Sequence, residues 1–249
     1  MSAAPVLAVE RLSKSFDGVR AVRDVSFRVS AGELCALIGP NGAGKTTCFN
    51  CVNGQLVPDE GRVWLAGVNV TGRPPREMAL AGVGRTFQVA ATFASMTVRE
   101  NVEVALLSHA GHGEALLARA SGARRAQADA LLERAGIAAL ADRHCGALPY
   151  GDAKRVELAL ALAGNPKLLL MDEPTAGMAH ADRDAIMATA AELARRDRVA
   201  VLFTEHDMDV VFGFADRIVV LDRGRVIADA PPDVVRADAN VQAVYLGTA

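Results

Sequence analysis

Leu34-Cys35-Ala36-Leu37-Ile38-Gly39-Pro40-Asn41-Gly42-Ala43-Gly44-Lys45-Thr46-Thr47 decides the fold of this chain. Leu34 to Ile38 is apolar without interruption, which predicts a strand buried on both faces. It runs directly into Gly39–Thr46, which fits G-x-x-x-x-G-K-[ST], and an apolar helical segment follows. Strand, glycine-rich turn and helix are the context that pattern requires. Glycines let successive backbone N–H groups converge on phosphate oxygens without Cβ clashes. The helix presents its positive end to the same oxygens. Lys45 is placed to reach β- and γ-phosphates, and the Thr46 hydroxyl is placed to ligate Mg²⁺.

Outward from this loop the chain alternates strands and helices. Val25-Ser26-Phe27-Arg28-Val29 has period two, as a half-buried strand should. Val63-Trp64-Leu65 and Val68-Asn69-Val70 flank Ala66-Gly67 and predict a hairpin. One helix is expected in residues 6 to about 88. Residues 89 to about 163 read as helical: Ala115 to Ala135 is rich in Ala, Leu, Arg and Glu, with Leu116, Leu117, Leu131 and Leu132 as candidate buried positions. Arg124-Arg125 reads as a solvated helix face, and Ser108 to Gly113 as a mobile loop or insertion. Beyond 164, Leu168–Met171 and Val199–Phe203 read as buried parallel strands with a helix, Asp182 to Arg196, between them. Arg217–Leu221 and Arg225–Ala228 flank the turn Asp222-Arg223-Gly224. Strand–helix alternation implies an α/β core, and the helical middle implies a lobe inserted into it.

Composition removes several function classes. The chain has 249 residues, 51% of them hydrophobic and 22% charged, with a net charge of −2. That suits a folded protein with a substantial core and offers no basic field for nucleic acid. No stretch reaches the ~18 continuous apolar residues that span a bilayer; the most apolar region, Val156 to Met171, is broken by Gly164-Asn165-Pro166-Lys167. No basic–apolar–small signal pattern opens the chain, so it is expected in the cytoplasm. The four cysteines include Cys48 and Cys51 as a lone C-x-x-C, with no second pair to complete a zinc site. They read as free thiols packed on a helix.

A second site motif narrows the phosphate chemistry. Leu168-Leu169-Leu170-Met171-Asp172-Glu173-Pro174 is an apolar strand ending in adjacent carboxylates. At a strand tip the two point differently, so Asp172 can hold a Mg²⁺ shell while Glu173 faces an attacking water. With the glycine-rich loop, this pair makes the chain resemble the ABC ATPases over nearly its whole length. Further elements occur in that family's order. Phe16 stands where the family has an aromatic that stacks on adenine. Gln88, in Gly84-Arg85-Thr86-Phe87-Gln88, matches the glutamine that touches Mg²⁺ or water and couples to the membrane partner. His206, after Phe203-Thr204-Glu205, matches the histidine that contacts the γ-phosphate.

The resemblance implies one α/β P-loop NTPase domain of the ABC ATPase type over residues 1–249. Its core would be 1–88 and 164–249, with an antiparallel β subdomain and a helical lobe at about 89–163. It implies ATP and Mg²⁺ as cofactors. Phe16, Gly39, Pro40, Asn41, Gly42, Ala43, Gly44, Lys45, Thr46, Thr47, Gln88 and Asp172 would bind the nucleotide, with Thr46, Gln88 and Asp172 at the metal. Glu173 and His206 would be catalytic. Two such subunits would close face to face around two ATP molecules, each nucleotide lying between one chain's P-loop and the other's signature helix.

Two elements depart from the family pattern. The usual signature L-S-G-G-Q corresponds to Leu148-Pro149-Tyr150-Gly151-Asp152. Pro149 removes the serine hydroxyl that would meet a γ-phosphate. Gly151, backbone N–H groups and the start of a helix near Asp152 remain, with Asp152 a candidate cap. The S-A-L-D loop after the catalytic glutamate corresponds to Ala176-Gly177-Met178-Ala179, without its aspartate. Pro149–Asp152, Asp172–Met178, Arg85–Gln88, Phe49-Asn50-Cys51 and Ala243–Gly247 together resemble one subgroup, the ATPases of importers for branched-chain amino acids and related amides or urea. That likeness implies a second, different ATPase subunit, transmembrane permease subunits, an extracytoplasmic solute-binding protein, and a place on the cytoplasmic face of the plasma membrane. Export is the alternative direction. A soluble ABC protein of DNA repair or translation would need tandem ATPase units or a long coiled-coil insertion. A GTPase would need an Asn-Lys-x-Asp guanine reader, which is absent, and a kinase has no need of Glu173 or of Leu148–Gly151.

Overall fold

The protein is described from a computed structural model over residues 4–86, 92–109 and 121–246. Two sheets organise it. A four-stranded antiparallel sheet has the order β2-β1-β4-β5, formed by β1 (Leu7–Phe16), β2 (Val19–Val29), β4 (Glu60–Leu65) and β5 (Val68–Asn69). A six-stranded sheet has the order β10-β9-β3-β8-β7-β6. Its strands are β3 (Leu34–Ile38), β6 (Val83–Arg85), β7 (Leu168–Asp172), β8 (Ala200–Thr204), β9 (Arg217–Asp222) and β10 (Arg225–Ala230). All its pairings are parallel except β9 with β10, an antiparallel hairpin at one edge. The turn of that hairpin places both Arg223 and Gly224 at positive φ. Two-residue turns of this kind match the twist of the flanking strands.

The unbroken apolar reading of β3 has a simple cause. All five residues are buried, and they alternate between two cores. Cys35 and Leu37 join the core shared with the antiparallel sheet and α1 (Lys45–Val52), around Phe49. Leu34, Ala36 and Ile38 join the core on the opposite face. There they meet α5 (Tyr150–Leu162) and α6 (His180–Asp197), and the same core continues into α3 (Val98–His109) and α4 (Ser121–Arg134). Phe49 and Phe203 are fully buried, and truncating such a side chain costs about 3–5 kcal/mol. Cys48 and Cys51 pack inside α1 as free thiols, pushed far toward the neutral form by burial.

Two local expectations shift. Residues 6–86 contain two helices rather than one: Pro75–Ala81 forms α2, opened by Pro74-Pro75 and closed by Gly82 in the left-handed region. Proline at the first helical position loses no hydrogen bond, so the Pro pair starts a helix instead of excluding one. Ser108 and His109 are helical, as the last residues of α3. A Cβ at Gly164 would lie 2.7 Å from the His109 ring, so this helix end seats on the turn before β7. Leu131 and Leu132 are buried, while Leu116 and Leu117 lie outside the described residues. The remaining helices, α7 (Met208–Phe214), α8 (Pro232–Ala237) and α9 (Ala239–Leu246), flank the β9–β10 edge. No helix among the described residues is long and apolar enough to cross a membrane.

Candidate active site

Parallel sheets bind ligands at the carboxyl ends of their strands. Here β3, β8 and β7 are neighbours, and their carboxyl ends deliver Gly39–Thr47, Thr204–His206 and Asp172–Glu173 to one edge. Residues more than 130 positions apart in sequence are adjacent there because β8 inserts between β3 and β7.

The loop after β3 needs its glycines for packing as well as for ligand approach. A Cβ on Gly44, whose φ is 99°, would lie 2.3 Å from the Ala21 carbonyl oxygen; one on Gly39 would lie 2.2 Å from that of Leu221. Neither backbone can yield, so the loop is pressed against β2 and β9. Gly44 caps α1 without a side-chain acceptor. The N–H groups of Lys45, Thr46 and Thr47, in the first turn, therefore have no intrahelical partner and present positive charge outward. Lys45 folds over the loop: its Nζ donates to the Gly39 carbonyl at 2.6 Å and the Pro40 carbonyl at 3.2 Å. Burial draws the Lys45 ammonium below its ordinary range, and the nearby Glu173 and Asp172 carboxylates oppose that. A cation held over uncapped N–H groups is a cradle for phosphate. Thr46 is exposed, with its hydroxyl on the same helix start.

The acids on β7 do point differently. Asp172 Oδ1 accepts from the Thr204 hydroxyl at 2.8 Å, and its Oδ2 lies 3.5 Å from the Arg85 guanidinium. Arg85 in turn sits over the Phe49 ring, 5.4 Å from its centroid. Glu173 turns away with φ of 48°, a left-handed conformation costly for a residue with a Cβ. Its N–H donates to the Thr204 carbonyl and hydroxyl, both at 3.1 Å. Its Oε1 lies 3.0 Å from His206 Nε2. Among the described residues no three His, Cys, Asp or Glu side chains form a metal cluster. The donor set of Thr46 hydroxyl and Asp172 carboxylate suits a hard cation that draws its other ligands from phosphate and water.

Phe16 ends β1 and is 43% exposed, with Lys14 Nζ 5.7 Å from its ring centre. An open aromatic face is what stacking on a base requires. Gln88 lies outside the described residues.

The signature stretch starts α5. Pro149 is the N-cap, with no side-chain hydrogen bond, and Tyr150 is half-exposed. Asp152 does not cap the helix; it lies inside the first turn, 3.9 Å from Arg155, which also approaches Asp182 at 3.7 Å. A Cβ at Gly151 would meet Asp182 at 2.8 Å, so Gly151 lets α6 close against the signature helix. Sequence reasoning missed Arg85, Thr204, Glu205 and Asp182 as site neighbours. Each stands beside a recognised motif, but the partner that gives it meaning comes from another strand or helix.

Comparison with known proteins agrees with this geometry. The family model for ABC transporters matches residues 22–176, and that for branched-chain amino acid ATP-binding cassette transporters matches residues 225–249. The high-affinity branched-chain amino acid transport ATP-binding protein LivG of Salmonella typhimurium is 39% identical, over 98% of this chain and 99% of its own. The lipopolysaccharide export system ATP-binding protein LptB of Haemophilus influenzae is 36% identical, over 97% of each. The crystal structure of an ATP-binding cassette of an ABC transporter in its ADP conformation superposes with a TM-score of 0.85 at 32% identity, covering 98% of this chain and 100% of that one. Sheet order, phosphate cradle and these relationships lead to one conclusion: the chain belongs to the ABC transporter family, as one of its ATP-binding, ATP-hydrolysing subunits.

Proposed function

We propose that this chain energises an importer for branched-chain amino acids or related small solutes, as one member of a pair of unlike ATPase subunits. The observation that carries this reading is the near full-length 39% identity to LivG together with the C-terminal family match at 225–249. The resemblance to LptB supports export as the second reading. The chain acts as one ATPase domain, with residues 1–88 and 164–249 as core and about 89–163 as helical lobe. It lies on the cytoplasmic face of the membrane against permease subunits, with an extracytoplasmic binding protein supplying solute. A cavity of about 260 Å³, lined by Asn53, Met78, Arg85, His109 and Glu157, lies beside the segment that leads to Gln88 and suits a permease contact. Purification of the native complex tests both claims. The expected result is two different ATPase subunits and ATP hydrolysis raised by branched-chain amino acids plus binding protein in proteoliposomes. A single ATPase species removes the pairing, and stimulation only by lipid-linked polysaccharide favours export.

In the mechanism, Phe16 stacks on adenine, and Gly39–Thr47 with Lys45 hold the phosphates. Mg²⁺, between Thr46, Asp172 and Gln88, would supply charge neutralisation at the β- and γ-oxygens. Glu173 accepts a proton from the water that attacks the γ-phosphorus as the bond to ADP breaks. His206 holds Glu173 and the γ-phosphate in register. Pro149, Tyr150, Gly151 and Asp152 contribute the N–H-rich end of α5 to the ATP on the partner's P-loop, and closure excludes water. Asp172→Asn should raise the Mg²⁺ concentration needed for half-maximal hydrolysis by about 10–100-fold. Overlaying Mg²⁺ titrations of variant and parent would remove Asp172 from the metal site.

A further inference from the structure

Glu205 is a carboxylate that the roles above leave unused, and it is 3% exposed. Taking a carboxylate out of water is expensive unless donors surround it. Here they do. Glu205 Oε1 accepts from the Thr175 N–H at 2.8 Å and from the Thr175 hydroxyl at 2.6 Å. Its Oε2 accepts from the His206 N–H at 3.1 Å. Thr175, itself 2% exposed, stands two residues after Glu173. Glu173 Oε1 and His206 Nε2 then meet at 3.0 Å. These contacts form a closed ring. It runs from Glu173 along the backbone to Thr175, through the Glu205 carboxylate to the His206 backbone, and through the imidazole back to Glu173.

We propose that Glu205 is a positioning residue for ATP hydrolysis, tying the loop that carries Glu173 to the segment that carries His206 so that their side chains meet at the γ-phosphate. This rests on the roles proposed above for Glu173 and His206. The left-handed backbone at Glu173 is strained, and such a conformation persists only where its surroundings over-determine it. The Thr204 bonds fix the strand side of Glu173, and the Glu205 bonds fix the loop side. The Ala176–Ala179 stretch, which lacks the family's aspartate, follows directly. Its Met178 carbonyl is held at 2.9 Å by Arg183 of the same chain. The Glu173 loop is therefore fastened by contacts within its own subunit.

The test uses the full-length chain in its assembled transporter, with steady-state and single-turnover hydrolysis. Glu205→Gln replaces one acceptor oxygen by an N–H₂ that faces a donor. Thr175→Val deletes the hydroxyl donor at nearly constant shape, and Thr175→Ser restores it. Losing a hydrogen bond to a charged group should lower kcat about 10-fold or more in Glu205→Gln and Thr175→Val. KM for ATP should stay within about 2-fold, because the phosphate cradle is untouched. Thr175→Ser should recover most of the rate. Adding Glu205→Gln to Glu173→Gln should slow hydrolysis no further, since Glu205 acts only through that pair. Parental kcat in both single variants overturns the proposal, as does a full multiplicative loss in the double variant. If Glu205→Gln fails to fold, the Thr175→Val and Thr175→Ser pair decides alone. Parental turnover in Glu173→Gln removes the proposed base and this inference with it. An inactive Glu173→Gln beside parental Glu205→Gln and Thr175→Val removes Glu205 only.

Discussion

Glu173→Gln should lower the rate of ATP hydrolysis by about 10²-fold or more while ATP still binds. The geometry separates the two functions. In the proposed site, uncapped N–H groups and Lys45 at the start of α1 hold the nucleotide, whereas Glu173 stands at the end of β7 with its carboxylate on His206. Glutamine keeps the volume and an acceptor for His206 but cannot take a proton from water. A closed, ATP-bound pair should accumulate, because the γ-phosphate that bridges the two faces persists. Single-turnover hydrolysis combined with sizing in ATP reads both effects. A glutamate merely solvated at a strand tip would give near-parental turnover and no trapped dimer, and that result would sink the proposed chemistry.

Lys45→Ala should lower hydrolysis by a comparable factor, about 10²–10³-fold, by removing an ammonium placed to meet charge developing on the β- and γ-oxygens. Unlike the glutamate variant, it should also weaken ATP binding, since in the proposed site the same ammonium contacts the ground-state phosphates. The nucleotide-free protein should feel the change as well. Lys45 Nζ bridges the Gly39 and Pro40 carbonyls, so its loss leaves the loop less restrained. Each lost kcal/mol corresponds to about 2–4 °C in Tm for a chain of this size. ATP titrations, hydrolysis and melting curves of the purified subunit separate these effects. Unchanged hydrolysis in the assembled complex would remove Lys45 from the site.

Much of this arrangement was legible in the chain itself, for reasons specific to each element. The phosphate loop was legible because its donors are contiguous backbone groups, so a run of eight residues contains the whole device. The buried strands were legible because a sheet covered on both faces leaves no alternation to confuse the pattern. The β9–β10 turn was legible from Asp222-Arg223-Gly224, although it holds Arg223 at a φ that arginine rarely adopts. Helix α2 was missed because seven residues are too few to show a helical period, and the end of α3 because Ser108 and His109 read as loop. Asp152 read as a cap for want of any knowledge that Arg155 and Asp182 stand beside it. Phe16 could be placed by the resemblance alone, because its exposure at the end of β1 is a tertiary property.

The sequence by itself determined the candidate groups: a glycine-rich loop with its lysine and threonine, two acids at a strand tip, a histidine after another strand, and the alternation that makes an α/β sheet. Those features depend on neighbours within a few residues, where backbone geometry and side-chain periodicity act directly. Only the tertiary structure decided how the parts meet. Strand β8 lies between β3 and β7, which sets His206 against Glu173, Thr204 against Asp172, and Glu205 against Thr175. Strand order follows from how two separate cores are filled on the faces of one sheet, a property of the whole chain that no local window contains.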